Sequence, residues 1–424
     1  MKNIIHSVKG TVDFYPDLMA YRQWMYGHLR AVSEAFGYQE YEGPIIEPLE
    51  LYAAKSGEEL VKKQSFVFED RGGNMITLRP ELTPTLARMV ASKQNELVFP
   101  LRWWSYGPMW RYERPQKGRT REFFQWNIDL IGVDAPEADA ELVAIGASLL
   151  QRLGITPAQV KVLVNNRRLV DSLLAELGIP PELRPEMFRL IDRRDKMAVD
   201  AWEANARELG LSSNQYEALC ALLENTENWK KSAELIRFFE ALEAMGVQEY
   251  VRYAPEVIRG LDYYTGTVFE ARDFDGEFRA IFGGGRYDNL VGAVGGQPLP
   301  GVGFAMGDKV IELVLEKFQR RPAWTALNDA PVLVTVFGEE MLRASFTLAG
   351  ELRQTGLKVA VYPVADKLAK QLKYADRIGS RVAIVLGPDE LAKGVVQVKH
   401  LQTREQVDVV RSEAADVVRK MLGK

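Results

Sequence analysis

Between Arg111 and Arg121, eleven positions hold four arginines and a lysine (Arg111, Arg114, Lys117, Arg119 and Arg121), and both flanks have the composition of strands. Upstream, LRWWSYGPMW (101–110) is rich in aromatic residues; downstream, EFFQWNIDLIG (122–132) alternates apolar with polar side chains. These patterns predict an antiparallel hairpin with its cations at a strand end and in the loop. Arginine's planar fork meets two phosphate oxygens at once, whereas lysine offers a point charge. Arg111 and Arg121, near the two strand ends, are placed to grip a triphosphate while the loop reaches a second anion. A solvated basic turn is the alternative for any such run, but Glu113 and the aromatic flanks favour a phosphate role. Nucleotide and nucleic acid both remain open as the polyanion.

The rest of the chain reads as further strands and helices around this hairpin. SFVFED-RGG-NMITLRPE (65–81) is a second hairpin, built on Gly72-Gly73, and Thr83-Pro84 reads as an N-cap and first helical residue of a helix through Ser92. A helix over 136–153 and a strand at VKVLVNN (160–166) follow. From 167 to 247 the pattern is helical, broken at Gly178-Ile179-Pro180-Pro181 and at Gly210, and resembles an inserted domain. Strands resume at Tyr253, and VFEARDFDGEFRAIFGGG (268–285) is a hairpin on Asp275-Gly276. Beyond RRPAW (320–324), a linker, VLVTVF, VAVYPV, RVAIVLG and GVVQVKHL alternate with helices as in a small α/β domain. The expected architecture is an α+β core with an antiparallel sheet over 1–166 and 248–322, a helical insertion over 167–247, and an α/β domain over 328–424.

Composition narrows the chemistry. The 424 residues leave room for two or three domains, and 47% hydrophobic with 26% charged residues is ordinary for a soluble protein. The start, MKNIIHSVKG, lacks an apolar signal core, no apolar run reaches membrane-span length, and Cys220 is the one cysteine, so a reducing cytoplasm is expected. His6, His28 and His400 are the three histidines, in no zinc-binding spacing, which disfavours zinc chemistry and histidine-assisted nucleophiles. Arginine, lysine, carboxylates, glutamine and tyrosine are left, an inventory suited to phosphoryl chemistry. The net charge of −4 is unevenly spread: residues 331–424 carry 15 Lys or Arg against 11 Asp or Glu, and the preceding 330 carry 39 against 47. In the C-terminal part Lys367, Lys370, Lys373, Arg377 and Arg381 recur every three or four residues, interleaved with Leu368, Leu372, Ala375 and Ile378. That is an amphipathic helix whose basic stripe is either a solvated face or a footprint for a phosphate backbone.

Four scattered segments then converge. GYQEYEGPIIEP (37–48), WRYERPQKGRTREFFQ (110–125), RGLDYYTGTVFE (259–270) and GGGRYDNL with GVGFAMG (283–290, 301–307) resemble, in order, motif 1, motif 2, the histidine-specific segment and the approach to motif 3 of the histidyl-tRNA synthetases, a class II aminoacyl-tRNA synthetase family. KQLKYADRIGSRVAIVLGPDEL extends the resemblance into the family's anticodon-binding domain. What it implies is ATP-dependent activation of histidine to an adenylate, then transfer to the 3′ end of the histidine tRNA by a cytoplasmic homodimer.

The resemblance also implies roles. Histidine's carboxylate attacks the α-phosphate in line, so the pentavalent centre needs fixed cations; Arg111 and Arg259 match the arginines that meet that phosphate from two sides. Glu113 matches an adenine contact and Arg121 an outer-phosphate contact; Arg119 joins them in the ATP site, and Mg²⁺ bridges triphosphate oxygens. Glu81 and Thr83 match the grip on the α-ammonium group, and Gln125 a contact to the substrate's carboxylate or amino group. Asp129, Tyr263, Tyr264 and Tyr287 fall where the family's pocket surrounds the imidazole, with Arg259 beside them. Of Tyr263 and Tyr264, adjacent in a strand-like segment, only one need face the ligand. Arg114 and Gln116 match loop positions near the tRNA acceptor end and its extra 5′ guanosine, and Lys370 and Lys373 are candidates for tRNA backbone contact.

Two departures stand out. Motif 3 usually ends Gly-x-Glu-Arg, but here GFAMG continues Asp308-Lys309-Val310, with Val310 at the arginine position, and RPELTP replaces the commoner RPEGTA. Lys309 or Arg119 is expected to supply part of the lost charge. Two rivals share the core. The regulatory subunit of ATP phosphoribosyltransferase normally lacks the anticodon-binding domain and has a degraded histidine-specific segment; a synthetase-like RNA-binding or regulatory protein would account for Val310 and the basic stripe.

Overall fold

A computed structural model describes residues 4–53, 64–116, 118–259, 263–323, 327 and 330–423. Lys117 of the basic loop, 260–262 of the RGLDYYTG segment and Trp324 of the expected linker lie outside the described residues. The chain forms two compact units, Met1–Phe14 with Arg22–Arg321 and Tyr15–Tyr21 with Pro322–Lys424.

The larger unit contains strands β1 (Gln39–Glu40), β2 (Ile46–Pro48), β3 (Phe66–Glu69), β4 (Met75–Leu78), β5 (Leu101–Trp110), β6 (Glu122–Ile131), β7 (Val160–Asn166), β8 (Val251–Tyr253), β9 (Thr267–Asp273), β10 (Phe282–Tyr287) and β11 (Gly301–Gly307). Eight of them form one sheet in the order β1-β5-β6-β11-β10-β9-β7-β8, and β2-β4-β3 form a small second sheet. Pairing in the large sheet is antiparallel except at its two ends, where β1 runs parallel to β5 and β8 to β7. β5 and β6 pair from Leu101↔Ile131 to Trp110↔Glu122, which leaves every described cation of the basic run in the connection between them. Alternation along β6 sets the two faces: Trp126, Ile128 and Leu130 are fully buried, while Gln125, Asn127 and Asp129 line a cavity. The helix Pro136–Arg152, buried along most of its length, packs on β6, β9, β10 and β11. From Arg167 to Ala244 the chain is helical, and Ala233–Ala244 packs on Pro136–Arg152.

Local chemistry explains the turns. Between β3 and β4 the Asp70 carboxylate accepts the backbone N–H of Gly72 at 2.8 Å and of Asn74 at 2.9 Å, while Gly73 takes φ +83°. The expected N-cap at Thr83 is corrected: the helix is Thr83–Lys93, Leu82 precedes it, and the Leu82 carbonyl accepts the Leu86 N–H at 2.9 Å. Pro84 brings no N–H that a cap would have to satisfy, and Thr83, as a helical residue, reaches the cavity wall.

The smaller unit holds β12 (Val332–Val334), β13 (Val359–Val361), β14 (Val382–Val385), β15 (Val395–His400) and β16 (Gln406–Val410), in the order β13-β12-β14-β15-β16. The first three are mutually parallel and the last two add antiparallel. β16 is an addition to the four expected strands; as an edge strand it exposes nearly every side chain and so lacks a buried face to read from its pattern. Among the described residues no helix is long and apolar enough to cross a membrane.

Candidate active site

A cavity of about 650 Å³ opens over the large sheet. Its wall brings together Glu81 and Thr83 at the start of the helix Thr83–Lys93, Arg111, Glu113 and Arg119 from the β5–β6 connection, and Gln125 and Asp129 of β6. Arg259, Tyr263, Tyr264 and Tyr287 line it as well.

At one end the Tyr287 hydroxyl donates to Asp129 Oδ1 at 2.6 Å. Burial pushes the Asp129 carboxyl up to about 7, against the opposing effect of that hydrogen bond. Tyr263 and Tyr287 are held well above the usual phenol range, mainly by burial, and Tyr264 is raised for the same reason. Tyr263 and Tyr264 both line the cavity, their rings 4.9 Å apart at 59°. They precede β9 rather than lying in it, so strand alternation does not separate them. Asp129 needs the space above Gly303, where a Cβ would collide with its carboxylate.

Arg259 also lines the cavity. Its guanidinium lies 3.0 Å from Glu270, a Cβ at Gly283 would collide with it, and its buried Nε has no hydrogen-bond partner. Gln125 Oε1 is likewise buried and unpartnered. The Arg259 backbone sits at φ +53°, a left-handed conformation that costs a non-glycine residue about 1–3 kcal/mol. Arg167 secures the segment by donating to the carbonyls of Ile258 (3.2 Å), Arg259 (2.7 Å) and Tyr264 (2.9 Å).

The cations of the β5–β6 connection diverge. Arg111 Nε donates to the Pro80 carbonyl at 3.0 Å and its guanidinium lies 5.4 Å from the Phe123 ring centroid. Arg119 is paired with Glu113 at 2.6 Å. Arg121 does not line the cavity; it packs under Gly10, donates to the Glu113 carbonyl at 3.3 Å and stacks 4.3 Å from the Tyr112 ring. Arg114 and Gln116 are exposed in the loop, where Gln116 bridges Arg119. Val310 and Lys309 both line the cavity, with Lys309 3.3 Å from Asp308 and 3.8 Å from Glu312. Lys370 and Lys373 stand exposed on the other unit's helix Leu368–Arg377, Lys370 in an ion pair with Asp366 at 2.5 Å.

Comparison with known proteins gives the family. A family model described as histidyl-tRNA synthetase matches residues 10–311, and one described as an anticodon binding domain matches 331–421. The chain belongs to the histidyl-tRNA synthetase family. Among this family's members, a histidine–tRNA ligase from Opitutus terrae is 39% identical over 97% of this chain and 98% of that protein. One from Haloarcula marismortui is 38% identical over 95% of each. A crystal structure of histidyl-tRNA synthetase from Nostoc sp. PCC 7120 shares the fold, with TM-score 0.83 at 24% identity over 99% of this chain and 100% of that one.

Four arginines that support or line this cavity escaped the sequence reading. Arg79, fully buried, joins Glu42 and Gly43 of the motif 1 segment to the Pro108 carbonyl of β5. Arg286, in GGGRYDNL, pairs with Asp139 at 2.6 Å, and burial pushes the Asp139 carboxyl up to about 6 despite that partner. Arg167 and Arg279 complete the set; Arg279 lines the cavity from the β9–β10 connection. Only the position of Arg79 beside Pro80-Glu81, and of Arg286 after three glycines, hinted at their importance.

Proposed function

We propose that this cavity condenses histidine with ATP and that the chain then esterifies the histidine tRNA, acting as a histidine–tRNA ligase. The observation that carries the reading is a buried carboxylate–tyrosine pair, Asp129 with Tyr287, in one cavity with Arg111 and Arg259. Asp129 accepts an imidazole N–H, and the tyrosines Tyr263, Tyr264 and Tyr287 enclose the ring. An isostere without the ring nitrogens would leave these polar groups unpaired, which selects histidine. Glu81, Thr83 and Gln125 hold the α-ammonium end. The histidine carboxylate attacks the α-phosphate, and the bond to the pyrophosphate leaving group breaks as the new anhydride forms. Arg111 and Arg259 balance the charge on the pentavalent centre through which this displacement passes. The unpartnered Arg259 Nε and Gln125 Oε1 fit groups awaiting a substrate. In the second step the tRNA's terminal ribose hydroxyl displaces AMP.

Glu113 with Arg119 faces the adenine side, and Arg121 acts on the outer phosphates only by leaving its place under Gly10. Mg²⁺ bound with ATP would supply further stabilisation of charge on the phosphates. Among the described residues no group of three acidic, histidine or cysteine side chains is set to hold a metal, which suits an ion kept mainly by phosphate oxygens and water. Arg114 and Gln116 approach the acceptor end, residues 328–424 read the anticodon, Lys370 and Lys373 contact the RNA backbone, and 167–247 act as an insertion in the core. Exposed Ile46 and Phe68, which share one face of the β2-β4-β3 sheet, support a homodimer through the motif 1 region. A single cysteine fits a reducing, cytoplasmic setting.

Histidine-dependent exchange of pyrophosphate into ATP, followed by charging of the histidine tRNA, tests the reading. Both are expected. No exchange would refute it, and exchange without charging would reduce it to adenylate formation.

A further inference from the structure

The charges on the cavity wall do not balance in the way the motifs suggest. Among the described residues five basic side chains line it: Arg111, Arg119, Arg259, Arg279 and Lys309. Three are already answered by carboxylates, Arg119 by Glu113 at 2.6 Å, Arg259 by Glu270 at 3.0 Å, and Lys309 by Asp308 at 3.3 Å. Releasing such a cation to a phosphate exposes the carboxylate it leaves behind, so Lys309 and Arg119 are poor replacements for the missing motif 3 arginine. Arg111 and Arg279 form no ion pair with a described residue, and Arg111 is already placed at the reacting phosphate.

Arg279 is exposed on the β9–β10 connection, and that connection is anchored immediately before it. The Asp273 carboxylate accepts the backbone N–H of Glu277 at 3.2 Å and of Phe278 at 3.1 Å. Lys317 reaches Asp273 at 3.0 Å, Asp275 at 2.9 Å and Glu277 at 3.2 Å, and lies 5.4 Å from the Phe278 ring. Lys317 ends the helix Asp308–Lys317, which also carries Val310 into the cavity wall. One helix therefore lacks the usual arginine and fixes the loop that presents another to the same cavity.

We propose that Arg279 binds the outer phosphates of the nucleotide, standing in for the arginine that Val310 replaces. The proposal rests on the ATP-dependent reading above and adds a residue to it. Anchoring by Lys317 means that little of the loop's freedom is lost on binding, so the contact acts on affinity for ATP rather than on histidine.

The test uses the full chain and measures KM for ATP and for histidine by pyrophosphate exchange in the wild type, Arg279→Ala, Arg279→Lys, Val310→Arg and the Arg279→Ala/Val310→Arg double variant. Loss of a charge-assisted phosphate contact is expected to raise the KM for ATP by about tenfold or more in Arg279→Ala. The histidine KM stays within about twofold, lysine retains part of the effect, and Val310→Arg in the alanine background recovers most of it. An ATP KM within about twofold of wild type in Arg279→Ala overturns the proposal, as does an equal rise for both substrates. Absence of exchange in the wild type would instead overturn the ligase reading, a different outcome.

Discussion

The sheet beneath the cavity takes charge inside, whereas the sheet of the smaller unit keeps it out. In the larger unit Arg79, Glu81, Asp129, Asp139, Glu270 and Arg286 are all buried. In the smaller one the buried polar residues among those described are neutral: Thr335, Ser345, Gln371 and Ser380. Gln371 shows how completely that polarity is satisfied, since its amide donates to the Val336 and Asp366 carbonyls and accepts the Val336 N–H, all at 2.7–2.8 Å. By contrast, Gln125 Oε1 and Arg259 Nε at the cavity are left open. Adenylation needs fixed charge in a low-dielectric site, at a cost in stability. Binding a folded RNA needs only exposed cations, so the smaller unit can have a conventional apolar interior, with Val332, Val334, Ile384 and Val396 at its centre.

The largest expected effect tests whether the buried charges are structurally committed. Arg286→Met should destabilise the protein by about 3–5 kcal/mol, because Asp139 is left buried without its partner. Urea unfolding measures it; a loss below about 1 kcal/mol would mean that water reaches Asp139 and that the two units differ less in their burial of charge.

Asp129→Asn sharpens the contrast from the other direction. The folded carboxyl at about 7 lies above its unfolded value of about 4, so the native state holds a proton that the unfolded state has released. Stability should therefore be full below about pH 4, fall through the window up to about pH 7 by up to about 4 kcal/mol, and stay level above it. The asparagine variant loses this slope, unfolds at higher urea than wild type at pH 8, and discriminates poorly against histidine analogues. Lower stability at both pH 5 and pH 8 would show that hydrogen bonding, not desolvation, governs the site.

The smallest effect on stability belongs to the exposed stripe. Lys370→Glu with Lys373→Glu should leave the melting temperature unchanged while weakening tRNA binding and flattening its salt dependence by about one logarithmic slope unit per lost phosphate contact. An unchanged salt slope would assign the stripe to solvent.

Much of this fold was legible because short-range patterns encode it. The alternation of EFFQWNIDLI predicts both the β6 strand and which of its residues share a face, and Gly72-Gly73 marks a turn that needs a positive φ. The motif residues Arg111, Arg259 and Asp129 were also readable in order along the chain, although they lie up to 148 positions apart. What periodicity does not encode is the direction of side chains in irregular segments. Arg121 turns away under Gly10, Tyr263 and Tyr264 both face the cavity, and Arg167 clamps a backbone segment 91 or more positions away from it. The sequence by itself determined most of the strands and helices and the set of charged groups available for the reaction. Only the tertiary structure decided which cations were already neutralised and which, like Arg279, remained for a ligand, because pairing of charge depends on distances across the fold that no local spacing controls.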